Sequence, residues 1–229
     1  MNLQNFQVSQ CPPSVYYVPN FITVEEESYI LSTVGKTPKP RWTQLSHRRL
    51  INYGGVPHPK GMIAEEIPPW LQKYVDKINQ LDCVFENERK ANHVLINEYL
   101  PGQGIMPHLD GPLFYPIITT ISCGSHTVIE FQEPLNRDNS CDSEKQPKLF
   151  KLWVEPRSLL ILKDEMYHQY LHSIAELAED IIDENLANFS TLNSKGSVLQ
   201  TGNKQVRNKR ISLTIRHVPK TSKMKIKLF

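Results

Sequence analysis

Cysteine is scarce and scattered in this 229-residue chain: Cys11, Cys83, Cys123 and Cys141 form no CxxC pair and no metal-knuckle spacing. That excludes a disulfide framework and a thiol-based zinc site. The opening MNLQNFQVSQ has neither a basic region nor an apolar run. With the cysteine pattern, this leads us to expect a reduced, intracellular protein of cytoplasm or nucleus. No stretch approaches the roughly 18 consecutive apolar residues of a membrane helix, so no membrane contact is expected. Charge of one sign is also lacking. A formal net charge of +2 argues against a polycationic nucleic-acid coat and leaves the local distribution of charge as the informative quantity. There is no internal repeat.

What is present is unevenly distributed. Lys204 to Phe229 holds nine Lys or Arg and no acid, whereas Glu176 to Glu184 holds five acids and no base. The basic run either meets phosphate or is a solvated tail. In VPNFITVEEESYILSTVGKTP, Thr23 followed by Glu26 has capping-box spacing, and Gly35 and Pro38 end the predicted helix. A second helix is predicted after Pro68 and Pro69, with Trp70, Leu71, Tyr74, Val75 and Ile78 as its apolar stripe. Between them PRWTQLSHRRLINYGGVPHP has no clean period and is read as a structured loop with a short hairpin. From His93 onward the chain changes to short β-branched and aromatic runs: HVLINEYL, IITTISCG, TVIEFQE, LFKLWVEP, SLLILK and RISLTIRHV. These predict a mainly β protein, a sandwich or jelly roll, in one domain with inserts. Two breaks interrupt it: Pro134 to Lys148, expected as a long exposed hairpin loop, and the polar stretch from Ala175 to Asn208.

Within NEYLPGQGIMPHLDGP, His108 and Asp110 are two positions apart, so in an extended segment both side chains leave one face and can grip one ion. Imidazole with carboxylate suits iron or another divalent transition metal better than calcium. A third ligand is available in MYHQYLHSI, which offers His168 and His172. His172 lies between Leu171 and Ile174, as an inward residue on a strand would. Two His and one carboxylate make the facial triad of non-haem Fe(II) oxygenases. In RISLTIR, Arg210, Ser212, Thr214 and Arg216 alternate with Ile211, Leu213 and Ile215. The polar face is either wet or a fork-and-donor surface for a dicarboxylate. Asn97 and Tyr99 share parity just before the HxD turn.

Taken together, Asn97-x-Tyr99, His108-x-Asp110, His172 and Arg210-x-Ser-x-Thr-x-Arg216 resemble the AlkB family of Fe(II)- and 2-oxoglutarate-dependent dioxygenases. The likeness extends through YYVPNFI, PKPRWTQLS, GMIAEEIPPWLQKYVDKI and LPGQGIMPHLDGPLFYP, from Val15 to Val218. It implies a double-stranded β-helix (jelly roll, cupin-like) with flanking helices. Residues 1–92 would supply N-terminal helices and a substrate lid packed on the barrel, and residues 93–229 the dioxygenase core. It also implies Fe(II) held by His108, Asp110 and His172. 2-Oxoglutarate would be bound at its distal carboxylate by Arg210 and Tyr99, with Asn97 and Arg216 ordering the metal end, and O2 would be the second co-substrate. The reaction implied is oxidative demethylation or hydroxylation of a nucleic-acid base.

In the corresponding lid stretch, Trp42 and Tyr53 would stack on a flipped or single-stranded base while Arg48 and Arg49 meet phosphate. The alternative is that Trp42 and Tyr53 anchor the lid to the core. The 37 residues between His172 and Arg210 suggest an insert near the mouth. Three readings follow: a nucleic-acid dioxygenase, the same chemistry on a protein or small molecule, or a silent jelly-roll binding module. The intact polar set argues against the last, because buried polar groups are costly to retain.

Overall fold

The computed structural model describes residues 1–133, 148–194 and 200–222. Strand β1 (Val15–Val18) leads into helix α1 (Val24–Gly35). The predicted capping box sets the start of α1. The Glu26 amide donates to Thr23 Oγ1 at 3.1 Å, and the Thr23 amide donates to the Glu26 carboxylate at 3.0 Å. A hairpin of β2 (Thr43–Leu45) and β3 (Arg48–Tyr53) follows, then β4 (Met62–Ile63) and helix α2 (Pro69–Asn79). Proline at the first position of α2 costs it no hydrogen bond, and Leu71, Tyr74, Val75 and Ile78 are its buried stripe.

The β-rich part contains β5 (His93–Tyr99), β6 (Ile105–His108), β7 (Ile117–Cys123), β8 (Thr127–Gln132), β9 (Leu149–Val154) and β10 (Leu159–Lys163). After these come α3 (Asp164–His168), β11 (Leu171–Ile174), β12 (Glu179–Ile181), α4 (Phe189–Ser194), β13 (Lys204–Val206), β14 (Arg210–Arg216) and β15 (Thr221–Ser222).

A seven-stranded antiparallel sheet runs in the order β1-β10-β7-β14-β5-β3-β2, and a four-stranded one in the order β6-β11-β8-β9. Together they form the expected jelly roll. The larger sheet has two unlike faces. One packs on α1 and α2, burying Ile211, Leu213 and Ile215 of β14 with Ile96, Ile121 and the helix stripes. Fully burying an aliphatic side chain stabilises the fold by about 1.5–3 kcal/mol, so this face is where the sheet gains its hold on the helices. The other face looks toward the smaller sheet. There the register sets Arg210 beside Tyr99, Ser212 beside Asn97 and Arg216 beside His93. Residues 1–92 contribute β1, β2 and β3 to the same large sheet.

Three stretches differ from the sequence expectation. The aromatic, basic segment contains the expected hairpin of β2 and β3 but goes further: β3 is a six-residue strand that also pairs with β5. Its arginines obscure the alternation, and they are tolerated because neighbours on β5 receive them. The polar insert also has structure, since β12 and β13 pair. A buried bidentate contact from Arg207 Nε and Nη2 to the Asp180 carboxylate, both at 2.6 Å, ties the two together. Of the basic run, Arg207, Arg210 and Arg216 are buried, and β15 pairs with β4, so the segment through Ser222 is part of the fold. The expected loop from Pro134 to Lys148 lies, apart from Lys148, outside the described residues. Among the described residues no helix is long and apolar enough to cross a membrane.

Candidate metal centre

Strand pairing assembles the site. His108 ends β6, Asp110 follows two residues later, and His172 on β11 sits directly opposite His108 in the antiparallel register. The two imidazole centroids are 4.2 Å apart, and one ligand atom from each of His108, Asp110 and His172 lies within 4.8 Å of the others. His108 Nδ1 is 2.9 Å from the Met106 carbonyl oxygen. A carbonyl only accepts, so the ring proton sits on Nδ1 and leaves the Nε2 lone pair for a cation. Burial pushes the His172 pKa down to about 4, which keeps its imidazole neutral at neutral pH. Asp110 Oδ1 takes an ion pair from Arg216 Nη1 at 3.1 Å, whereas Asp110 Oδ2 is buried with no hydrogen-bond partner. Two imidazoles and a carboxylate with a spare buried oxygen fit a divalent iron ion. His168, the alternative third ligand, is exposed on α3 and stands apart from this cluster.

Beside the triad lies a cavity of about 110 Å³. One wall is the large sheet: the polar face of β5 and β14, with Asn97, Tyr99, Arg210, Ser212, Thr214 and Arg216, continued by Ile118 of β7 and by Leu160 and Leu162 of β10; facing it from the smaller sheet are Ile129 and Ile174. Arg210 is 4% exposed. Its Nη2 donates to Ser122 Oγ at 2.9 Å, its Nε has no partner, and its guanidinium lies 5.7 Å from the Tyr99 ring centroid. Burial draws its pKa down to about 10. A buried guanidinium with a free donor and, among the described residues, no carboxylate partner is a receptor for an anion, because leaving it unpaired is costly. Arg216 stands at the other end of β14, paired with Asp110 and lying 3.8 Å from the Phe114 ring centroid. Burial raises the Tyr99 pKa, so its phenol stays protonated and able to donate.

The four residues expected at a substrate surface separate by strand parity. Arg48 lines the cavity and donates from Nε to Asn97 Oδ1 at 3.3 Å. It also lines an outer groove of about 560 Å³ with His47, Ile105, Met106, Pro107 and Glu176. Arg49 points to the opposite face, where it pairs with Glu98 at 2.7 and 2.8 Å and covers the Trp42 ring at 4.1 Å. Tyr53 meets Trp70 edge-on at 6.1 Å between centroids. Trp42, Arg49 and Tyr53 therefore do not line the cavity. A shift of one residue along a strand exchanges faces, and Arg48 and Arg49 are one residue apart. Ser122 and Thr120 were not singled out from the sequence, although their parity with Ile118 in IITTISC carried that signal. Phe114 and Tyr167 had no sequence signal.

The profile of the 2OG-Fe(II) oxygenase superfamily matches residues 14–216. Over 222 residues the chain is 47% identical to the probable RNA/DNA demethylase ALKBH6 of Danio rerio, covering 96% of this chain and 92% of that protein. Among solved structures, OsALKBH1 superposes with a TM-score of 0.58 at 15% identity, over 90% of this chain and 98% of the other. A 2OG-Fe(II) oxygenase family oxidoreductase from Burkholderia pseudomallei superposes with a TM-score of 0.56 at 9% identity, over 97% and 95% of the two chains. The last two carry the fold alone. Profile, relative and jelly roll agree, and the chain belongs to the 2OG-Fe(II) oxygenase superfamily, in its AlkB family.

Proposed function

We propose that this dioxygenase removes a methyl group from, or hydroxylates, a base of a nucleic acid presented single-stranded or flipped out of a duplex. The enzyme class brings Fe(II) as cofactor, with 2-oxoglutarate and O2 as co-substrates. In this reading His108, Asp110 and His172 hold the iron. Arg210 grips the distal carboxylate of 2-oxoglutarate, with the Tyr99 phenol beside it, and Asn97 and Arg216 order the metal end. When bound, the iron couples decarboxylation of 2-oxoglutarate to succinate and CO2 with oxidation of a substrate C–H bond. An N-methyl group oxidised in this way is lost as formaldehyde.

The observation that carries the reading is one cavity that joins the His108, Asp110 and His172 cluster to a buried Arg210 with no carboxylate partner. Support for a nucleic-acid base comes from the 47% identity to a relative called a probable RNA/DNA demethylase. The outer groove offers Arg48 for phosphate and apolar Ile105, Met106 and Pro107 for a ring face. A second reading, oxidation of a protein side chain or small molecule, is favoured by one observation: Trp42 and Tyr53, which would stack on a base, face away from the cavity. Incubating the iron-loaded protein with methylated oligonucleotides and with peptides, then weighing the products, separates the two. Loss of a methyl from the oligonucleotide with succinate formed in proportion is the expected result; oxygen gained by the peptide alone supports the second reading.

A further inference from the structure

Asp110 has a weak local frame. It follows β6 in a segment with no strand pairing, next to Gly111 at φ +85°. No ladder hydrogen bond holds its backbone, yet a metal ligand has to be fixed in place if the ion is to bind tightly. We propose that Tyr167 is a positioning residue for the metal centre, fixing Asp110 through two connections that start at its hydroxyl. This inference rests on the reading of Asp110 as a metal ligand.

The first connection is direct. Tyr167 Oη donates to the carbonyl oxygen of Gly111, the residue after Asp110. The second runs through Phe114, whose carbonyl oxygen lies 3.1 Å from the same hydroxyl. The Phe114 ring backs the Arg216 guanidinium at 3.8 Å, and Arg216 Nη1 holds Asp110 Oδ1 at 3.1 Å. The Phe114 ring also packs against His93, the cross-strand neighbour of Arg216, with centroids 5.7 Å apart. His93 is itself fixed by Asn52, its Nε2 lying 3.0 Å from Asn52 Oδ1. Phe114 thus contacts both a fully buried imidazole and the guanidinium that pairs with the Asp110 carboxylate. Tyr167 is 7% exposed and lies on α3, an element that supplies none of the three ligands, so the hydroxyl connects two separate parts of the barrel. Hydrogen bonds of this kind typically change metal affinity by a factor of about 10–100 when removed.

Tyr167→Phe keeps the ring and removes the hydroxyl proton that the two carbonyls share. The probe is Co(II), whose visible absorption reports the ligand set, titrated in competition with a chromophoric chelator. Tyr170→Phe is the control: Tyr170 donates to Glu133 at 2.9 Å, away from Asp110. Asp110→Ala tests the underlying ligand assignment. The expected result is a Co(II) dissociation constant raised roughly tenfold to hundredfold in Tyr167→Phe, with an altered band shape and little change in Tyr170→Phe. Wild-type affinity and spectrum in Tyr167→Phe overturn the inference, and so does an equal loss in both tyrosine variants. If Asp110→Ala itself binds Co(II) like wild type, the ligand assignment fails instead. Should Tyr167→Phe not fold, Phe114→Leu carries the test, with weakened Co(II) binding expected and unchanged binding overturning the inference.

Discussion

The two faces of β14 are both largely buried and are chemically opposite. Ile211, Leu213 and Ile215 on the helix side are 0–1% exposed, while Arg210, Ser212 and Arg216 on the cavity side are 3–4% exposed. On the helix side buried charges meet opposite charges, as in the Arg49–Glu98 and Arg157–Glu27 pairs. Glu27 accepts from the Gly124 amide at 2.8 Å and from Arg157 Nη1 at 3.1 Å. On the cavity side Asp110 Oδ2, Arg210 Nε and Arg216 Nε are buried with no hydrogen-bond partner. Burial therefore does not distinguish fold from function here, but the gathering of unpaired polar atoms around one cavity does. Of the seven buried side-chain atoms without a hydrogen-bond partner among the described residues, three gather around this one cavity, where in the proposed reading a metal and an anion would meet them.

That comparison is most exposed at Arg210. Arg210→Met should weaken 2-oxoglutarate binding by more than about a hundredfold, since a buried charge-assisted fork is removed outright. The apoprotein should nonetheless melt at the same or a higher temperature, because an apolar side chain replaces a buried cation whose charge has no carboxylate partner among the described residues. A marked drop in melting temperature would show that Arg210 holds the fold. The reverse outcome is expected across the sheet. Leu213→Ala, at a site with no exposure, should cost about 2–5 kcal/mol in urea unfolding while the folded protein binds 2-oxoglutarate as before.

A smaller effect concerns pH. Burial, with Arg216 adding to it, pushes the His93 pKa from an ordinary 6.5 down to about 3. The unfolded chain therefore binds a proton that the folded one refuses between those values. The stability this histidine contributes is fully present above pH 6.5 and is lost progressively as pH falls toward 3. His93→Gln keeps a donor for Asn52 and removes the titration. The pH dependence of its unfolding midpoint in the apoprotein should be shallower than wild type across this window, and an equal slope would remove His93 from the account.

Much of this was legible in the sequence, for reasons that differ by residue. The capping box at Thr23 and Glu26 and the apolar stripe of α2 are local, so spacing alone locates them. The polar parity of RISLTIR was equally visible, but whether that face was wet or buried depended on a second sheet folding over it. The metal cluster needed the pairing of β6 with β11, which brings together residues 64 positions apart (172 minus 108). Arg48 and Arg49 read alike as bases until the register of β3 against β5 sends them to opposite faces. Phe114 and Tyr167 act through contacts that no local pattern encodes.

The central claim is that the cavity side of β14 is built to take the distal carboxylate of 2-oxoglutarate on Arg210, with iron at the other end. Its most direct test is to titrate 2-oxoglutarate, and separately a shorter 2-keto acid without the distal carboxylate, into the Fe(II)-loaded wild type and Arg210→Lys, following the metal-to-ligand charge-transfer band without oxygen. Lysine keeps the charge and loses the fork, so 2-oxoglutarate should bind roughly tenfold to hundredfold more weakly while the shorter acid changes little. Equal affinity of the two proteins for 2-oxoglutarate, or equal losses for the two acids, would contradict the claim and turn attention to Arg216 as the anchor.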